Sequence, residues 1–411
     1  MRLPECHVNG GVKLSKDLSM EFAGVKFPNP FTLAASPCTD SAEMVARAFD
    51  AGWGGAVLKT TSVEEEVVEL AYPMMAGLDF DDKKVIGLQN IDLISERHIG
   101  EVEKDVRDLK RSYPDRVVGA SIMGASKEHW QELVVRLEEA GVDFIECSFS
   151  CPHGMPEKGM GSTIGQNAEL TERTARWVKE AAKRVPVVIK VTPLVPDLPH
   201  IAQAVKRSGA DAVCAINTIK CLIGVDLDTF VPRPCVDGKS SYGGYSGAAI
   251  KPVALRCVAE IAKAVDIPVA ATGGIGTWRD AAEFLLCGAT NLQICTAVMK
   301  HGFRIIDDLL DGLSVYLEDK GMGAATELVG KALPNIVEHS HLSRASKPKS
   351  RIDRSTCIKC DVCYIACMDG GHQAITLDED RLPSVDDDKC VGCGMCAAVC
   401  PVWDCITMVS R

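Results

Sequence analysis

Two runs of four cysteines near the C-terminus constrain this chain more than any other feature. Cys357, Cys360, Cys363 and Cys367 follow the spacing C-x2-C-x2-C-x3-C, and Cys390, Cys393, Cys396 and Cys400 repeat it, with Pro401 after the last. Such short spacings let three thiolates of one loop grip a single cubane while the fourth reaches across to its neighbour. The expected sets are therefore Cys357, Cys360 and Cys363 with Cys400, and Cys390, Cys393 and Cys396 with Cys367, each holding one [4Fe–4S] cluster. Structural zinc is the competing reading, but zinc sites use separated pairs and do not favour a compact four-cysteine run given twice. Met368, and not proline, follows Cys367. A proline there shapes the chain without being a ligand, so the sets are unchanged. Cys405 lies outside the pattern and reads as a buried thiol.

The chain has 19 cysteines in 411 residues, nine of them after residue 356. Dense cysteines in a small secreted domain suggest disulfides. This uneven density in a large chain points to metal ligation in a reducing compartment. The first 16 residues lack the continuous apolar core of a secretory signal, and apolar runs such as Pro186 to Val191 fall far below the roughly 20 residues of a membrane helix. A soluble, cytoplasmic protein is expected. With 45 basic against 56 acidic residues, a net charge of −11 and no long Lys/Arg block, nucleic acid is excluded as a partner.

From about Phe31 to Val298, short apolar runs alternate with helical patterns, the signature of a βα-repeat with a parallel sheet. Eight strands are predicted: Phe31–Ala35, Gly54–Lys59, Val117–Met123, Asp143–Ser148, Pro186–Val191, Asp211–Asn217, Pro268–Thr272 and Asn291–Thr296. Four are entered through a helix end followed by glycine (Gly52, Gly141, Gly209 and Gly288), which suits a left-handed helix terminus. Eight strands with intervening helices fit a closed α/β (β/α)8 TIM barrel better than an open doubly wound sheet. The barrel is expected over residues 1–333, a polar and basic linker over 334–350, and a small α+β ferredoxin-like 2[4Fe–4S] domain over 351–411. The acidic stretch Asp378 to Asp388 reads as a solvated turn between two halves of that module.

Two clusters move single electrons, whereas most organic redox changes take two, so a converter is required. A flavin meets that need, and a barrel with phosphate-gripping loops near its last strands is a common holder. Gly243 to Gly247 before a helix, Thr272 to Gly276 after strand seven, and Cys295-Thr296 after strand eight can each bring backbone N–H groups close to a phosphate. No G-x-G-x-x-G stands between a strand and a helix, so no nicotinamide domain is expected in this chain. Lys59 and Lys190 sit in apolar strands, where a buried ammonium is costly unless it meets an anion or acceptor. They either reach out to solvent or face a flavin ring or phosphate, and their shared position at strand ends favours the flavin. Strand four opens into a loop through Cys151 to Gly165 that can act as a lid. Hydride delivery to one carbon of a polarised C=C leaves charge that an acid must quench, a task suited to the Cys151 thiol. Cys38, Cys214, Cys221, Cys235, Cys257 and Cys287 read as inert buried thiols.

The motifs Ser150-Cys151-Pro152-His153-Gly154-Met155, Asn217-Thr218, Tyr242-Gly243-Gly244 with Ser246-Gly247, and Ala271-Thr272-Gly273-Gly274-Ile275 resemble those of the dihydropyrimidine dehydrogenases. From about Leu18 onward the chain is similar to the bacterial catalytic subunits of that family, relatives of the dihydroorotate dehydrogenases. The resemblance implies an FMN held by the Ala35 backbone, Lys59, Thr60, Lys190, Gly247, Thr272, Gly273, Gly274, Cys295 and Thr296. It implies a substrate surrounded by Asn90, Ser148, Ser150, Asn217 and Thr218, with Cys151 protonating C5 of a pyrimidine while C6 receives hydride. It further implies electrons from NAD(P)H through a separate FAD-containing subunit, hence a hetero-oligomer. Ser148 and Leu194 stand where the family carries asparagine. A hydroxyl cannot make the paired contact an amide offers to a ring's N–H/C=O edge.

Three functions follow from these readings: a subunit reducing the C5=C6 bond of uracil or thymine, or oxidising the dihydropyrimidine; the same scaffold acting on another small conjugated carbonyl or N-heterocycle; and an electron-transfer subunit without its own substrate. All three require the same cofactors. Anaerobically isolated protein is expected to carry a yellow chromophore and about eight iron and eight acid-labile sulfide per chain, as read by absorbance and by iron and sulfide analysis.

Overall fold

The structure, a computed structural model, describes residues 16–80, 84–151 and 161–410. The chain folds as two compact units, Met1–Asn335 and Ile336–Arg411.

In the first unit, eight parallel strands close into a barrel in chain order: Phe31–Leu33, Gly55–Thr61, Val117–Ile122, Phe144–Ser148, Val187–Val191, Ala212–Ala215, Val269–Thr272 and Ala289–Ile294. Each overlaps one of the eight predicted strands. They were legible because strands buried on both faces read as nearly unbroken apolar runs, and every residue of Val117–Ile122, Phe144–Ser148 and Val187–Val191 is buried. The ring is sealed where the last strand meets the first, with Leu292, Gln293 and Ile294 registered on Phe31, Thr32 and Leu33.

The helices of the outer layer each turn one apolar stripe inward. Lys127–Ala140 is typical: Ser126 accepts from the His129 N–H at its start, Trp130, Leu133, Val134 and Leu137 are buried, and Gly141 ends it. The four glycine joints all adopt positive φ, at +115°, +96°, +85° and +100° for Gly52, Gly141, Gly209 and Gly288. No described helix is long and apolar enough to cross a membrane.

Two additions to the barrel escape the βα pattern. An N-terminal hairpin, Met20–Phe22 with Val25–Phe27, packs Phe22 and Phe27 against Val57, Val117, Phe144, Val188 and Ala212, near the N-terminal ends of the strands. At the opposite, C-terminal mouth lies a four-stranded antiparallel sheet in the order Ile219–Cys221, Gly243–Ser246, Lys84–Asn90, Met75–Phe80. Gly243–Ser246, expected as a phosphate-gripping loop, is therefore a strand of this sheet. It leads through Gly247 and a short 3-10 turn into the helix Lys251–Ala264.

The second unit holds two antiparallel strand pairs and two short helices. Lys349–Ile352 pairs with Ile406–Val409, and Ile375–Leu377 with Pro383–Val385. Two expectations change here. Residues 349 and 350, assigned to the linker, belong to a strand, and the acidic stretch contributes Pro383–Val385 to a hairpin, leaving only 378–382 as the turn. The helices Val362–Met368 and Met395–Val399 each carry the third cysteine of a run, Cys363 and Cys396, into the core with Ile375, Cys405 and Ile406.

Phe144 meets Phe22 edge-on at 6.2 Å and Phe27 at 6.4 Å between ring centroids. Phe144→Ala is expected to cost about 3–5 kcal/mol, the usual loss for emptying a buried aromatic site, measured by urea unfolding.

Candidate functional site

The strands end at the C-terminal face around a cavity of about 680 Å³, within the roughly 300–1,000 Å³ typical of small-molecule sites. All ten residues expected at the flavin line it: Ala35, Lys59, Thr60, Lys190, Gly247, Thr272, Gly273, Gly274, Cys295 and Thr296. So do Asn90, Ser148, Asn217, Thr218 and Cys151. Ser150 reaches the group indirectly, accepting from Asn217 Nδ2 at 3.0 Å. Residues scattered from 35 to 296 thus converge because most of them end or follow strands of one closed sheet, while Asn90 ends and Gly247 follows a strand of the antiparallel sheet over its mouth.

Both buried lysines found partners within the protein. Lys190 Nζ donates to Glu146 Oε1 at 3.0 Å and to Gln293 Oε1 at 3.2 Å, and Gln293 Nε2 donates to Glu146 Oε2 at 2.7 Å. Glu146 is fully buried and Lys190 only 6% exposed. Burial works against the Lys190 charge, but the Glu146 carboxylate beside it prevails and raises its pKa. An ammonium has three donors; two are spent here, on a side chain that lines the cavity. Lys59 Nζ lies 3.2 Å from Asp92 Oδ1. Burial pushes the Asp92 carboxyl above the usual carboxylate range, outweighing the pull of Lys59. Lys59 and Lys190 are therefore not solvent-reaching, and Glu146, Gln293 and Asp92 are the residues the sequence reading did not pair with them. A signal existed for one: Glu146 and Lys190 are lone charges inside adjacent apolar strands, which demands a counter-charge.

The loop after Val269–Thr272 is held by another pairing that the sequence reading did not find. Asp280 accepts from the N–H groups of Gly276 and Thr277 at 3.1 and 2.8 Å and from Lys251 Nζ at 2.5 Å. Burial opposes the Asp280 charge, yet these donors hold its carboxyl below the usual range. The loop is anchored so that Gly273 and Gly274 face the cavity. Gly274 has φ +83°, and a Cβ there would come within 2.7–2.9 Å of Lys251 atoms, so glycine alone permits this close approach. Across the cavity, Thr296 Oγ1 bonds Ser246 Oγ at 3.0 Å. Backbone N–H groups without side chains in the way, beside a cationic wall, form a cradle suited to an anionic flavin nucleotide.

Among the residues expected at the substrate, Asn217 Oδ1 accepts from its neighbour Thr218 at both N (2.7 Å) and Oγ1 (3.3 Å), which fixes the amide in one orientation. Asn90 Nδ2 donates to the Gly244 carbonyl at 3.2 Å, between two paired strands of the sheet over the mouth. Ser148 is 3% exposed. Cys151 packs against Ile94 and Met123 at the cavity wall. Pro152, His153, Gly154 and Met155 of the motif, and with them most of the expected lid, lie outside the described residues. Of the thiols read as buried, Cys214 and Cys257 are so, Cys38, Cys221 and Cys287 are half-buried, and Cys235 is exposed because its loop stands clear of the sheet.

In the second unit, Cys357, Cys360, Cys363 and Cys400 line one cavity, so a cysteine from the far run joins the near three, as a ligand exchanged between two cubanes requires. Cys405 shares this cavity and is buried, although it falls outside the pattern. Cys367 and Cys396, assigned to the other cluster, accept from the Ala374 N–H at 3.3 Å and lie 3.1 Å from Ser350 Oγ respectively. Cys390 is buried and Cys393 exposed.

The family described as dihydroorotate dehydrogenase matches residues 17–317, and that described as 4Fe-4S dicluster domain matches 350–408. The chain is 45% identical over 395 residues, 95% of each chain, to the NAD-dependent dihydropyrimidine dehydrogenase subunit PreA of Escherichia coli strain K12. It is 38% identical over 352 residues to the chloroplastic dihydropyrimidine dehydrogenase (NADP(+)) of Arabidopsis thaliana, covering 83% of this chain and 82% of that one. A crystal structure of the Eimeria tenella DHODH in complex with ferulenol superposes with a TM-score of 0.66 at 19% identity, covering 78% of this chain and 90% of that one, which shows the shared fold. FMN and two [4Fe–4S] clusters are the cofactors of this domain pair, and the cradle and cysteine sets above suit them. The chain belongs to the dihydroorotate dehydrogenase family, extended by a 4Fe–4S dicluster domain.

Proposed function

We propose that this chain is the catalytic subunit of a dihydropyrimidine dehydrogenase, reducing the C5=C6 bond of uracil or thymine or running the reverse oxidation. The observation that carries this reading is the single cavity in which the flavin cradle, the amide-bearing Asn90 and Asn217 and the thiol of Cys151 share walls. FMN, when bound there, supplies the exchange between single electrons and a hydride. The clusters bring those electrons from a partner flavoprotein subunit that oxidises NAD(P)H. Both named dehydrogenase relatives carry a nicotinamide specificity in their names, and one is called a subunit.

Lys190 would donate its remaining N–H to the flavin, and Glu146 keeps that lysine charged and in place. The Gly273–Gly274 backbone and Thr296 would hold the phosphate. Asn217, held in one orientation by Thr218 and donating to Ser150, presents a fixed amide to the substrate, with Asn90 beyond it. Cys151 gives its proton to C5 as C6 receives hydride, so the double bond gains H⁻ and H⁺ and no charge remains. In the reverse direction the thiolate takes the C5 proton.

A second reading is favoured by Ser148. This buried hydroxyl offers one short donor or acceptor where an amide would span two substrate atoms, and a site lacking a paired contact discriminates less well. The same chemistry then acts on another small conjugated carbonyl or N-heterocycle.

Anaerobic reduction of the purified protein followed by addition of uracil and thymine separates the two. Flavin reoxidation by either pyrimidine supports the first reading; reoxidation only by other conjugated acceptors supports the second, and none by any acceptor rejects both. Cys151→Ala is expected to slow the substrate-dependent half-reaction by about 10²–10⁴-fold, the usual contribution of a positioned acid. FMN and iron content should remain at the wild-type level, and activity near wild type would show that another group supplies the proton.

A further inference from the structure

Ser350, a side chain outside the cysteine pattern, touches a cluster cysteine directly. Ser350 lies in the strand Lys349–Ile352, registered on Met408 of Ile406–Val409. It is 1% exposed, and its Oγ stands 3.1 Å from Sγ of Cys396, itself buried. Serine is an unexpected resident of so dry a place, since a buried hydroxyl costs stability unless it is hydrogen-bonded.

An iron-bound Cys396 is a thiolate with no proton to give, so the bond has one direction: the Ser350 O–H donates to sulfur. Such a donor places partial positive charge against the ligand. Reduction adds one negative charge to the cluster, and part of it resides on sulfur. The hydrogen bond therefore stabilises the reduced form more than the oxidised form, and hydrogen bonds to the sulfurs are among the factors that set cluster potentials. In the other set, Cys357 Sγ accepts from the Lys359 backbone N–H at 3.4 Å, a bond that comes with the fold of the loop. The Ser350 bond depends on one replaceable side chain.

We propose that Ser350 is a positioning residue for the cluster held by Cys390, Cys393, Cys396 and Cys367, raising that cluster's reduction potential through its hydrogen bond to Cys396 while leaving the other cluster's potential unchanged. The proposal rests on the cluster assignment above, and its test separates the two.

Wild-type holoprotein, Ser350→Ala, Ser350→Thr and Ser350→Cys are isolated anaerobically, assayed for iron and acid-labile sulfide, and titrated with dithionite while electron paramagnetic resonance follows each reduced cluster. In fully loaded Ser350→Ala, one of the two cluster signals should develop at a more negative potential while the other stays in place. Ser350→Thr, which keeps the hydroxyl, should return the shifted signal toward its wild-type potential. Ser350→Cys, close in shape but a weak donor, should shift the same signal in the same direction as alanine, and it provides the reading if the alanine variant does not load. Unchanged midpoints in the loaded variants, or equal shifts of both clusters, overturn the tuning role. Wild-type protein without two [4Fe–4S] clusters overturns the cluster assignment instead.

Discussion

The pairing of the last barrel strand with the first is the constraint on which the catalytic unit depends. Leu292, Gln293 and Ile294 lie some 260 positions along the chain from Phe31, Thr32 and Leu33, yet the hydrogen bonds between them turn a sheet into a ring. Closure leaves no unpaired strand edge and fixes where every strand ends. Gln293 reaches Glu146 and Lys190 only because the ring is shut. The same closure sets Thr296 beside Ser246 and Cys295 on the cavity wall.

Within that ring the polar groups are arranged as pairs. A buried ion pair is weak evidence of stability, because desolvation offsets much of the attraction. Its presence at a cavity wall is better explained by what it holds ready. Lys190 and Lys59 each keep a carboxylate neighbour, so both ammonium groups stay buried in a site that Ile86, Leu88, Ile216 and Ile250 also line. Asp280 does comparable work for the Gly273–Gly274 loop by taking the amides of Gly276 and Thr277.

What could be read from the sequence follows from which forces are local. The eight barrel strands were legible because burial on both faces leaves an unbroken apolar run, and the glycine joints because a left-handed terminus favours one residue type. The cysteine spacing anticipated the one cavity shared by Cys357, Cys360, Cys363 and Cys400 because such spacing follows ligand geometry. The antiparallel sheet over the mouth was not legible. Ile219–Cys221 and Gly243–Ser246 are short, glycine-containing or part-exposed, and the partner of the latter, Lys84–Asn90, lies far away in the chain. Gly243 to Gly247 looked like a loop for the same reason. Asp92 sits in a loop and Asp280 in the first turn of the helix Trp278–Leu286, where it reads as a capping residue, so nothing local announced their lysine partners. Ser350 was hidden inside a segment whose basic, proline-containing composition reads as a connector.

The aromatic seal formed by Phe22, Phe27 and Phe144 closes the end of the barrel opposite the cavity. Among the described residues the chamber is consequently closed at that end and opens toward the C-terminal mouth, where the antiparallel sheet stands.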